Sequence, residues 1–493
     1  MGIGVFHKQR HARNHRRTSG ALTVESASSR VRRVIQREND GVRWELQPDF
    51  APLLDELLQS PGETVKESPV KRVTRHQLGA KTFYIKRYFH HAVPLRPLKF
   101  FFKATQARQE WDLAQQLEAR EIPIVHHVAL GERRNWAGTQ ESILITEGFD
   151  GVQLNEAPGV DPSVVLKFVE RMHDQGVMQQ DLHPGNILVG RNLSVLRLVD
   201  LHGTLVKPRL SREERQGNLA MLRVYLPIPV PDEIVQLSRQ LRRNLLFQRS
   251  KRCLWHNREF ASEQHGALKW HVRLPLVSES VRRVLAGPDE FLESRAQILK
   301  PGRTSTVGKA DGLVLKRFNF RKIENLVKDL FRPSRARRAF RAAYHLELAG
   351  LPTARGIAVA NQRTGGLLLR SYLLMEEIAG AIDLGTYLRT NPEPKLTLAR
   401  QTGRLIARLH EEGFSHRDLK ETNLVIGDDG ILYLLDLDGL SFLHDVSEDR
   451  CAADLARLAD GVVKYPAVKA RHRIAFLRAY CRARQLKRVP RRH

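Results

Sequence analysis

Cysteine is scarce in this sequence, and long uninterrupted apolar runs are absent. The 493 residues include only three cysteines, Cys253, Cys451 and Cys481, which are too few and too scattered for a disulfide framework or a zinc site. No stretch approaches the roughly 18 apolar residues that a membrane-spanning helix requires. These features argue against a disulfide-stapled fold and predict a reducing, cytoplasmic location.

Acidic residues are also few relative to basic ones. The chain has 81 Lys and Arg against 54 Asp and Glu, a formal net charge of +27, within an otherwise ordinary globular composition. Such an excess predicts a polyanionic partner, and a phosphorylated glycolipid or a peripheral contact with an anionic membrane surface is favoured over nucleic acid. Residues 1–40 are predicted to form a basic, disordered tail.

The most informative stretch runs from Leu409 to Asp438 and reads LHEEGFSHRDLKETNLVIGDDGILYLLDLD. It predicts the end of a helix, a polar loop and a β-hairpin, because short apolar strands flank a Gly/Asp turn. The loop has the spacing H-R-D-L-K-x-x-N, and the second strand runs into Asp-Leu-Asp-Gly. This spacing resembles the catalytic and metal-binding segments of the protein-kinase-like superfamily.

That resemblance implies a role for each polar side chain of the loop. Asp418 would accept or orient the proton of an acceptor hydroxyl, and Lys420 would neutralise charge on the transferred phosphoryl group. Asn423 and Asp436 would hold Mg²⁺ against the phosphates of ATP, since Mg²⁺ is a hard ion that prefers oxygen ligands. The implied cofactors are therefore ATP and Mg²⁺.

The same pattern occurs a second time, earlier in the chain. The passage MHDQGVMQQDLHPGNILVGRNLSVLRLVDLHG places Asp181 and Asn186 in the positions of Asp418 and Asn423. The upstream parts also repeat, because Lys86 and Lys316 each end an apolar strand that precedes an alanine- and arginine-rich helix. Two copies of such a series indicate a tandem duplication. We expect one domain over residues 41–250 and another over 251–493.

At this point the residues resemble a specific family, the bacterial lipopolysaccharide kinases. The motifs that carry the resemblance are QDLHPGNILV with LVDLHG in the first half, and HRDLKETNLV with LLDLDG in the second. The resemblance implies an α+β fold in which each copy has a small antiparallel β lobe and a larger helical lobe. It also implies ATP-dependent phosphorylation of a lipopolysaccharide inner-core sugar at the cytoplasmic face of the inner membrane.

In the first half, the resemblance assigns one role to each of five residues. Lys86 would hold the α- and β-phosphates and Glu110 would pair with it, while Asp181 would be the catalytic carboxylate. Asn186 and Asp200 would be the metal ligands. The half departs from the pattern at 179–180, where Gln-Gln replaces His-Arg, so we expect no switching by a phosphorylated activation segment.

The second half has the fuller loop but an altered small lobe. Lys316 stands where expected, yet Ala339 replaces the counterpart of Glu110, and Glu347 is expected to face solvent. Without a carboxylate partner Lys316 would lose its orientation. Either another acid replaces the counterpart of Glu110, or the second half is a weak kinase or a pseudokinase. Neither half contains a G-x-G-x-x-G phosphate loop.

Three alternative functions remain open from the sequence. A protein kinase would need a peptide groove, a small-molecule kinase would favour an acidic acceptor pocket, and a non-enzymatic scaffold would bind nucleotide without turnover. The segment Arg249–His271 mixes basic residues with tryptophan, and a surface linker is favoured there over a phosphosugar- or RNA-binding element. The sequence predicts neither the oligomeric state nor the acceptor sugar.

Overall fold

A computed structural model of the chain describes residues 34–93, 96–100, 102–302, 304–319, 333–364, 367–486 and 488–490. The chain divides into two compact units, and the division falls between Val230 and Pro231. Most of the expected tail lies outside the described residues. Its last part, however, contains the strand Ile35–Asn39, which pairs with Val42–Leu46, so ordered structure begins before residue 40.

The first unit contains a seven-stranded antiparallel sheet and two smaller sheets. Its strands are β1 Ile35–Asn39, β2 Val42–Leu46, β3 Gly62–Ser68, β4 Lys71–Leu78, β5 Lys81–Phe89, β6 His127–Asn135, β7 Gly138–Glu147, β8 Gly151–Gln153, β9 Val177–Gln179, β10 Ile187–Gly190, β11 Leu196–Leu198 and β12 Thr204–Val206. The large sheet has the order β1-β2-β6-β7-β5-β4-β3. Alternate side chains of β5 point to opposite faces, so Phe83 and Ile85 enter one core while Tyr88 joins another.

Five helices of the first unit pack around these sheets. They are α1 Leu54–Gln59, α2 Arg96–Lys99, α3 Gln106–Ala119, α4 Pro162–Asp174 and α5 Arg212–Tyr225. Thr105 starts α3, because its hydroxyl accepts a hydrogen bond from the Arg108 backbone N–H at 3.1 Å. Ala107 and Trp111 lie on the buried face of α3 and pack with Tyr88 of the sheet. This packing sets α3 across the face of β5 that carries Lys86.

The second unit repeats the arrangement. Its strands are β13 Phe260–His265, β14 Leu268–Arg273, β15 Gln297–Lys300, β16 Ser305–Ala310, β17 Leu313–Phe318, β18 Gly356–Thr364, β19 Leu367–Glu376, β20 Ile382–Asp383, β21 Phe414–His416, β22 Leu424–Ile426, β23 Leu432–Leu434 and β24 Leu440–Phe442. The seven-stranded sheet has the order β13-β14-β18-β19-β17-β16-β15, which matches the first sheet strand for strand. The duplicated α+β, kinase-like fold predicted from the sequence is confirmed.

The helices of the second unit include one that the sequence assigned to the first domain. They are α6 Asp232–Ser250, α7 Glu279–Ala286, α8 Pro288–Glu290, α9 Arg335–Leu348, α10 Leu384–Thr390, α11 Leu396–Glu411, α12 Glu448–Val462 and α13 Ala470–Ala483. In α6, Phe247 stacks on Phe442 with a centroid distance of 4.7 Å, and Arg242 forms an ion pair with Glu412. The observed division therefore lies one helix before the expected boundary at residue 250.

The segment Arg249–His271 is not a surface linker. Most of it forms a helical turn, Lys251–Leu254, and the hairpin β13–β14, whose six paired positions make the first two strands of the second sheet. Phe260 and Trp270 are fully buried there as core residues of the sheet, whereas Trp255 is 63% exposed. Over the described part of the chain, no helix is both long and apolar enough to cross a membrane.

Candidate active site

A buried lysine–glutamate pair lies at the centre of the first small lobe. Lys86 on β5 donates from Nζ to Glu110 Oε1 on α3 at 2.6 Å, and the two side chains are only 13% and 6% exposed. Glu110 lies beside Trp111 and one turn after Ala107, so the helix packing that buries those residues also aims the carboxylate at the sheet. The structure brings together the two residues predicted to bind nucleotide phosphates.

Electrostatics keeps both members of this pair charged. Burial alone would raise the pKa of Glu110, but the charges of Lys86 and His127 hold it well below the ordinary value of 4.5. Burial would likewise lower the pKa of Lys86, and the Glu110 and Asp200 carboxylates reverse that effect. His127 completes the group, with Nε2 facing Glu110 Oε1 at 3.5 Å and Nδ1 facing the Val125 carbonyl at 2.9 Å.

The predicted catalytic loop follows β9 and ends where β10 begins. The carboxylate of Asp181 is 74% exposed at the surface of the loop. The amide nitrogen of Asn186 donates to the Asp181 carbonyl at 2.9 Å, which closes the loop and leaves the Asn186 amide oxygen available as a ligand. In the second unit, Asn423 makes the same bond to Asp418 at 2.8 Å.

Gln179 does the structural work that a histidine does in the second unit. Its amide nitrogen donates to the backbone carbonyls of Asp200 and His202 at 3.0 and 3.2 Å. In the second unit, His416 Nε2 lies 3.2 Å from the carbonyl of Asp436. The departure from the kinase pattern at this position therefore preserves the link between the catalytic loop and the metal-binding segment.

The two candidate metal ligands that end the hairpins share an unusual backbone. Asp200 and Asp436 have φ angles of 58° and 57°, in the left-handed region that non-glycine residues adopt infrequently. Such a conformation costs on the order of 1–3 kcal/mol and is concentrated at functional sites. Its presence at matched positions in both units supports a functional role for the two aspartates.

Lys71 is a candidate that the sequence did not single out. It opens β4, directly after the turn that stands where other kinases have a glycine-rich loop, and its Nζ lies 4.9 Å from the centroid of the Tyr88 ring. Burial, followed by the charge of Lys86, lowers the pKa of Lys71. The absence of a glycine-rich loop is the sequence feature that could have pointed to Lys71. A turn without glycines offers fewer backbone N–H groups to a phosphate, so a cation beside it is a natural replacement.

Lys71 lines a cavity that also contains the acidic residues of the site. The cavity measures about 530 Å³, and its lining includes Lys71, Tyr88, Glu110 and the segment 200–204. A second cavity, of about 920 Å³, lies on the other side of the catalytic loop and includes Gln153, Asn155, Glu156, His183 and Tyr225. The first unit therefore has two cavities that border the residues predicted for transfer.

The second unit pairs its lysine differently from the prediction. Lys316 has carboxylate partners, but they come from the DLDG segment: it contacts Asp436 directly and lies 3.7 Å from Asp438. Burial would raise the pKa of Asp436, but a hydrogen bond with Asp438 and the charge of Lys316 hold it well below its usual range. Lys316 therefore has acidic partners, although neither comes from the helix position that corresponds to Glu110.

The helix α9 explains why the acid comes from elsewhere. Ala339, at the position of Glu110, is buried in the core, and the neighbouring Phe340 ring packs against Gly356 so closely that a Cβ there would come within 2.8 Å of it. Ala339 itself is only 3% exposed, so this position of the helix presents a methyl group and no acid. Arg335 at the start of α9 instead donates to Asp438 from Nε at 2.7 Å.

Two further charged residues of the second unit also have defined partners. Glu347 does not face solvent alone, since it accepts two hydrogen bonds from the Arg273 guanidinium at 2.7 and 2.8 Å. Lys420 donates to the Asp418 carboxylate at 2.8 Å, so the loop lysine and the predicted catalytic carboxylate lie together.

A buried polar residue anchors each catalytic loop from the helical lobe. In the second unit the Asp454 carboxylate accepts from the His416 backbone N–H at 2.9 Å and lies 3.3 Å from His410 Nε2. In the first unit Asn218 takes this place, donating to the Gln179 carbonyl at 2.6 Å and facing His173 Nε2 at 2.9 Å. Both loops are therefore held rigidly, which supports precise placement of their aspartates.

The donor set fits Mg²⁺ rather than a softer metal. No group of three or more His, Cys, Asp or Glu side chains with metal-binding geometry occurs in the described residues. Mg²⁺ does not need such a cage, because it commonly binds one or two protein oxygens and completes its shell with phosphates and water. Asn186 and Asp200 offer such oxygens in the first unit, and Asn423 and Asp436 are the matching residues in the second.

Comparison with known proteins identifies relatives of both units. Residues 55–240 and 301–480 match the lipopolysaccharide kinase (Kdo/WaaP) family. The chain is 34% identical over 125 residues to the 3-deoxy-D-manno-octulosonic acid kinase of Xylella fastidiosa (strain 9a5c), covering 25% of this chain and 49% of that protein. The kinase of the same name from Vibrio cholerae serotype O1 is 33% identical over 105 residues, covering 21% and 44%. The chain thus spans about half the length of the curated relatives it matches.

A solved structure is also similar. It is described as WaaP in complex with acyl carrier protein, is 20% identical, covers 42% of this chain and 88% of its own, and gives a TM-score of 0.33. The two family segments together cover most of the chain and contain every candidate site residue of both units. The chain therefore belongs to the lipopolysaccharide kinase (Kdo/WaaP) family and contains two tandem copies of it.

Proposed function

We propose that this protein is an ATP-dependent kinase that phosphorylates a sugar hydroxyl of the lipopolysaccharide inner core. The observation that carries the proposal is the buried Lys86–Glu110 pair, beside Asp200 and a polar cavity, in a chain of this family. The curated relatives are named for 3-deoxy-D-manno-octulosonic acid, so that sugar is the first acceptor to test.

In this proposal the small lobe of the first unit holds the nucleotide. Lys86 contacts the α- and β-phosphates, and Glu110 fixes its ammonium group in one orientation, because the pair is buried and hydrogen-bonded. Lys71 approaches the same phosphates from the turn before β4, in place of backbone N–H groups of a glycine-rich loop. The two ammonium groups supply the cations that a polyphosphate needs, while Glu110 and Asp200 are the carboxylates beside them.

The catalytic loop orients the acceptor hydroxyl. Asp181 is exposed at the loop surface and accepts or directs the hydroxyl proton as the oxygen attacks the γ-phosphorus. Asn186 and Asp200 are the residues that would hold Mg²⁺. When bound, Mg²⁺ supplies neutralisation of charge on the β- and γ-phosphates.

The cavity beside His183 is proposed as the acceptor site. Its amide, carboxylate, imidazole and phenol groups are the donors and acceptors that recognise sugar hydroxyls. His183 lies 3.9 Å from the Asp181 carboxylate, so a sugar seated there would place a hydroxyl near the catalytic residue. The +27 charge would hold the protein at an anionic membrane, at about 1 kcal/mol per Lys or Arg close to the surface.

The second unit is proposed to bind nucleotide with little or no transfer. Lys316 forms an ion pair with Asp436, which is the carboxylate that Mg²⁺ would need. Helix α9 has Ala339 at the position of Glu110, so it offers no carboxylate that would pair with Lys316 instead. The second unit also differs from the first at the position that corresponds to the proposed acceptor cavity. Glu421 of the second loop is buried and accepts hydrogen bonds from Tyr465 at 3.2 Å and from Lys464 at 2.7 Å.

The acceptor is tested by following the γ-phosphate of labelled ATP. Purified protein is offered lipopolysaccharide inner core with unphosphorylated 3-deoxy-D-manno-octulosonic acid, a mixed protein substrate, or an aminoglycoside. We expect Mg²⁺-dependent label in the core sugar alone. Label in protein or in the small molecule would overturn the assignment and select one of the other kinase classes.

A further inference from the structure

The first unit neutralises one arginine of helix α3 completely. Arg108 makes two parallel hydrogen bonds to the Glu45 carboxylate, at 2.7 and 2.8 Å. Two more carboxylates, those of Asp112 and Glu132, lie 3.8 Å from its guanidinium. Three acids therefore surround a single cation, and this site needs no further anion.

The second unit keeps the arginine and loses all three acids. Arg337 is the counterpart of Arg108, since each follows a hydroxyl cap by three residues, Thr105 in α3 and Ser334 in α9. The strand registers identify the other counterparts, because Arg43 pairs with Glu132 exactly as Lys269 pairs with Asn361. By these registers, His271 stands at the position of Glu45 and Asn361 at the position of Glu132. By the helix spacing, Arg341 stands at the position of Asp112.

Polar atoms at this place are left without partners. Arg337 Nε and Asn361 Oδ1 are buried and make no hydrogen bond. The side chain of Arg337 has a single contact, His271 Nε2 at 3.5 Å, and within the described residues no carboxylate lies within 4 Å of its guanidinium. Buried polar groups are nearly always satisfied, so the unpaired Arg337 Nε–H indicates an absent acceptor.

Arg341 adds a second cation, and among the residues that the structure describes it forms no ion pair with an acid. It lies one helical turn after Arg337, packs over the Phe247 ring at 4.3 Å and donates from Nε to Ser250 at 3.2 Å. Burial lowers the pKa of its guanidinium. Two arginines four residues apart repel each other, and the chain keeps them together without the compensation seen in the first unit.

We propose that His271, Arg337, Arg341 and Asn361 form an anion-binding pocket that takes a phosphate group. Guanidinium groups bind phosphate through paired hydrogen bonds, and the Asn361 amide can add a donor through its Nδ2. His271, whose Nε2 faces the Arg337 guanidinium, and Asn361 carry no negative charge that would repel a phosphate. The phosphate belongs either to the headgroup of an anionic lipid or to a free phosphate. The proposal does not depend on transfer activity.

The first test measures the thermal stability of the full chain in inorganic phosphate against chloride at equal ionic strength. Phosphate should raise the melting temperature of the wild type by several degrees, and R337Q should lose most of that rise. R338Q is the matched control, since it removes an exposed charge from the same helix and should keep it. No rise in the wild type, or an equal rise in R337Q, would overturn the proposal.

A second variant restores the acids of the first unit. The double substitution H271E/N361E should raise the melting temperature without phosphate and abolish the response to it, and a retained response would contradict the pocket. Flotation with vesicles of phosphatidylglycerol or phosphatidylcholine then identifies the source of the phosphate. Loss of binding to phosphatidylglycerol in R337Q but not in R338Q indicates a lipid headgroup, whereas equal binding indicates free phosphate.

Discussion

Replacement of Glu110 by alanine removes the carboxylate that pairs with the buried ammonium group of Lys86. Lys86 and Glu110 are 13% and 6% exposed and 2.6 Å apart, so the substitution leaves an ammonium group buried without its partner. Breaking such a pair costs about 3–5 kcal/mol in comparable proteins. In a unit of this size that loss lowers the melting temperature by roughly 10 °C.

The partner substitution separates the pair from simple loss of packing. The double substitution Lys86→Met and Glu110→Leu removes both charges and leaves no unpaired ion. Its loss of unfolding free energy should therefore be smaller than the sum of the losses of the two single variants. We expect a coupling free energy of at least about 1 kcal/mol. Hydrogen exchange in β5 and α3 measures it locally, and peptides of α9 and β17 in the second unit serve as internal control.

The pair also predicts the direction of a pH effect. Because folding lowers the pKa of Glu110, its ionised form contributes stability that is complete above the ordinary value of 4.5 and is lost as the pH falls below it. The stability gap between wild type and Glu110→Gln should therefore be constant from about pH 6 to 8 and shrink below pH 4.5. The buried ion pair would be refuted if the stability losses of the Lys86→Met and Glu110→Leu variants were additive. It would also be refuted if the stability gap between wild type and Glu110→Gln grew in acid.

Three further outcomes test individual residues. Lys71→Met should raise KM for ATP about tenfold, the size of one lost charge-assisted hydrogen bond, and an unchanged KM would remove Lys71 from the phosphate site. Gln179→Leu should slow transfer more than Gln179→His, since only histidine can restore the bond to the Asp200 carbonyl; equal rates would show that this bond is dispensable. Ala339→Glu should weaken folding of the second unit, measured by thermal melting, because the new carboxylate enters a position that is buried in the core, and an unchanged melting temperature would contradict that burial.

The repeated pattern made the fold predictable. The spacing of Asp181 and Asn186 matches that of Asp418 and Asn423, and a motif that is helix, loop and hairpin in one place must be so in the other. Short strands with alternating apolar residues and a capped helix are local features, so Leu424–Ile426 and Gln106–Ala119 lie close to where the sequence places them. The Lys86–Glu110 contact followed from the same reasoning.

Other features depended on packing that the sequence does not display. The partners of Lys316 are Asp436 and Asp438, which lie 120 or more residues away along the chain, so no local pattern predicts the contact. Gln179 reads as a departure from the motif, yet an amide reaches the same carbonyl that His416 reaches with its ring. The role of α6 depends on Phe247 meeting Phe442, which no local pattern predicts.

The central claim is that the first unit transfers phosphate and the second does not. The most direct test is the rate of phosphate transfer from ATP to inner-core lipopolysaccharide for wild type, Asp181→Ala, Asp418→Ala and the double variant. Loss of the catalytic carboxylate should slow transfer by about 10²–10⁴-fold for Asp181→Ala, with a far smaller loss for Asp418→Ala. Equal losses, or a greater loss for Asp418→Ala, would contradict the claim.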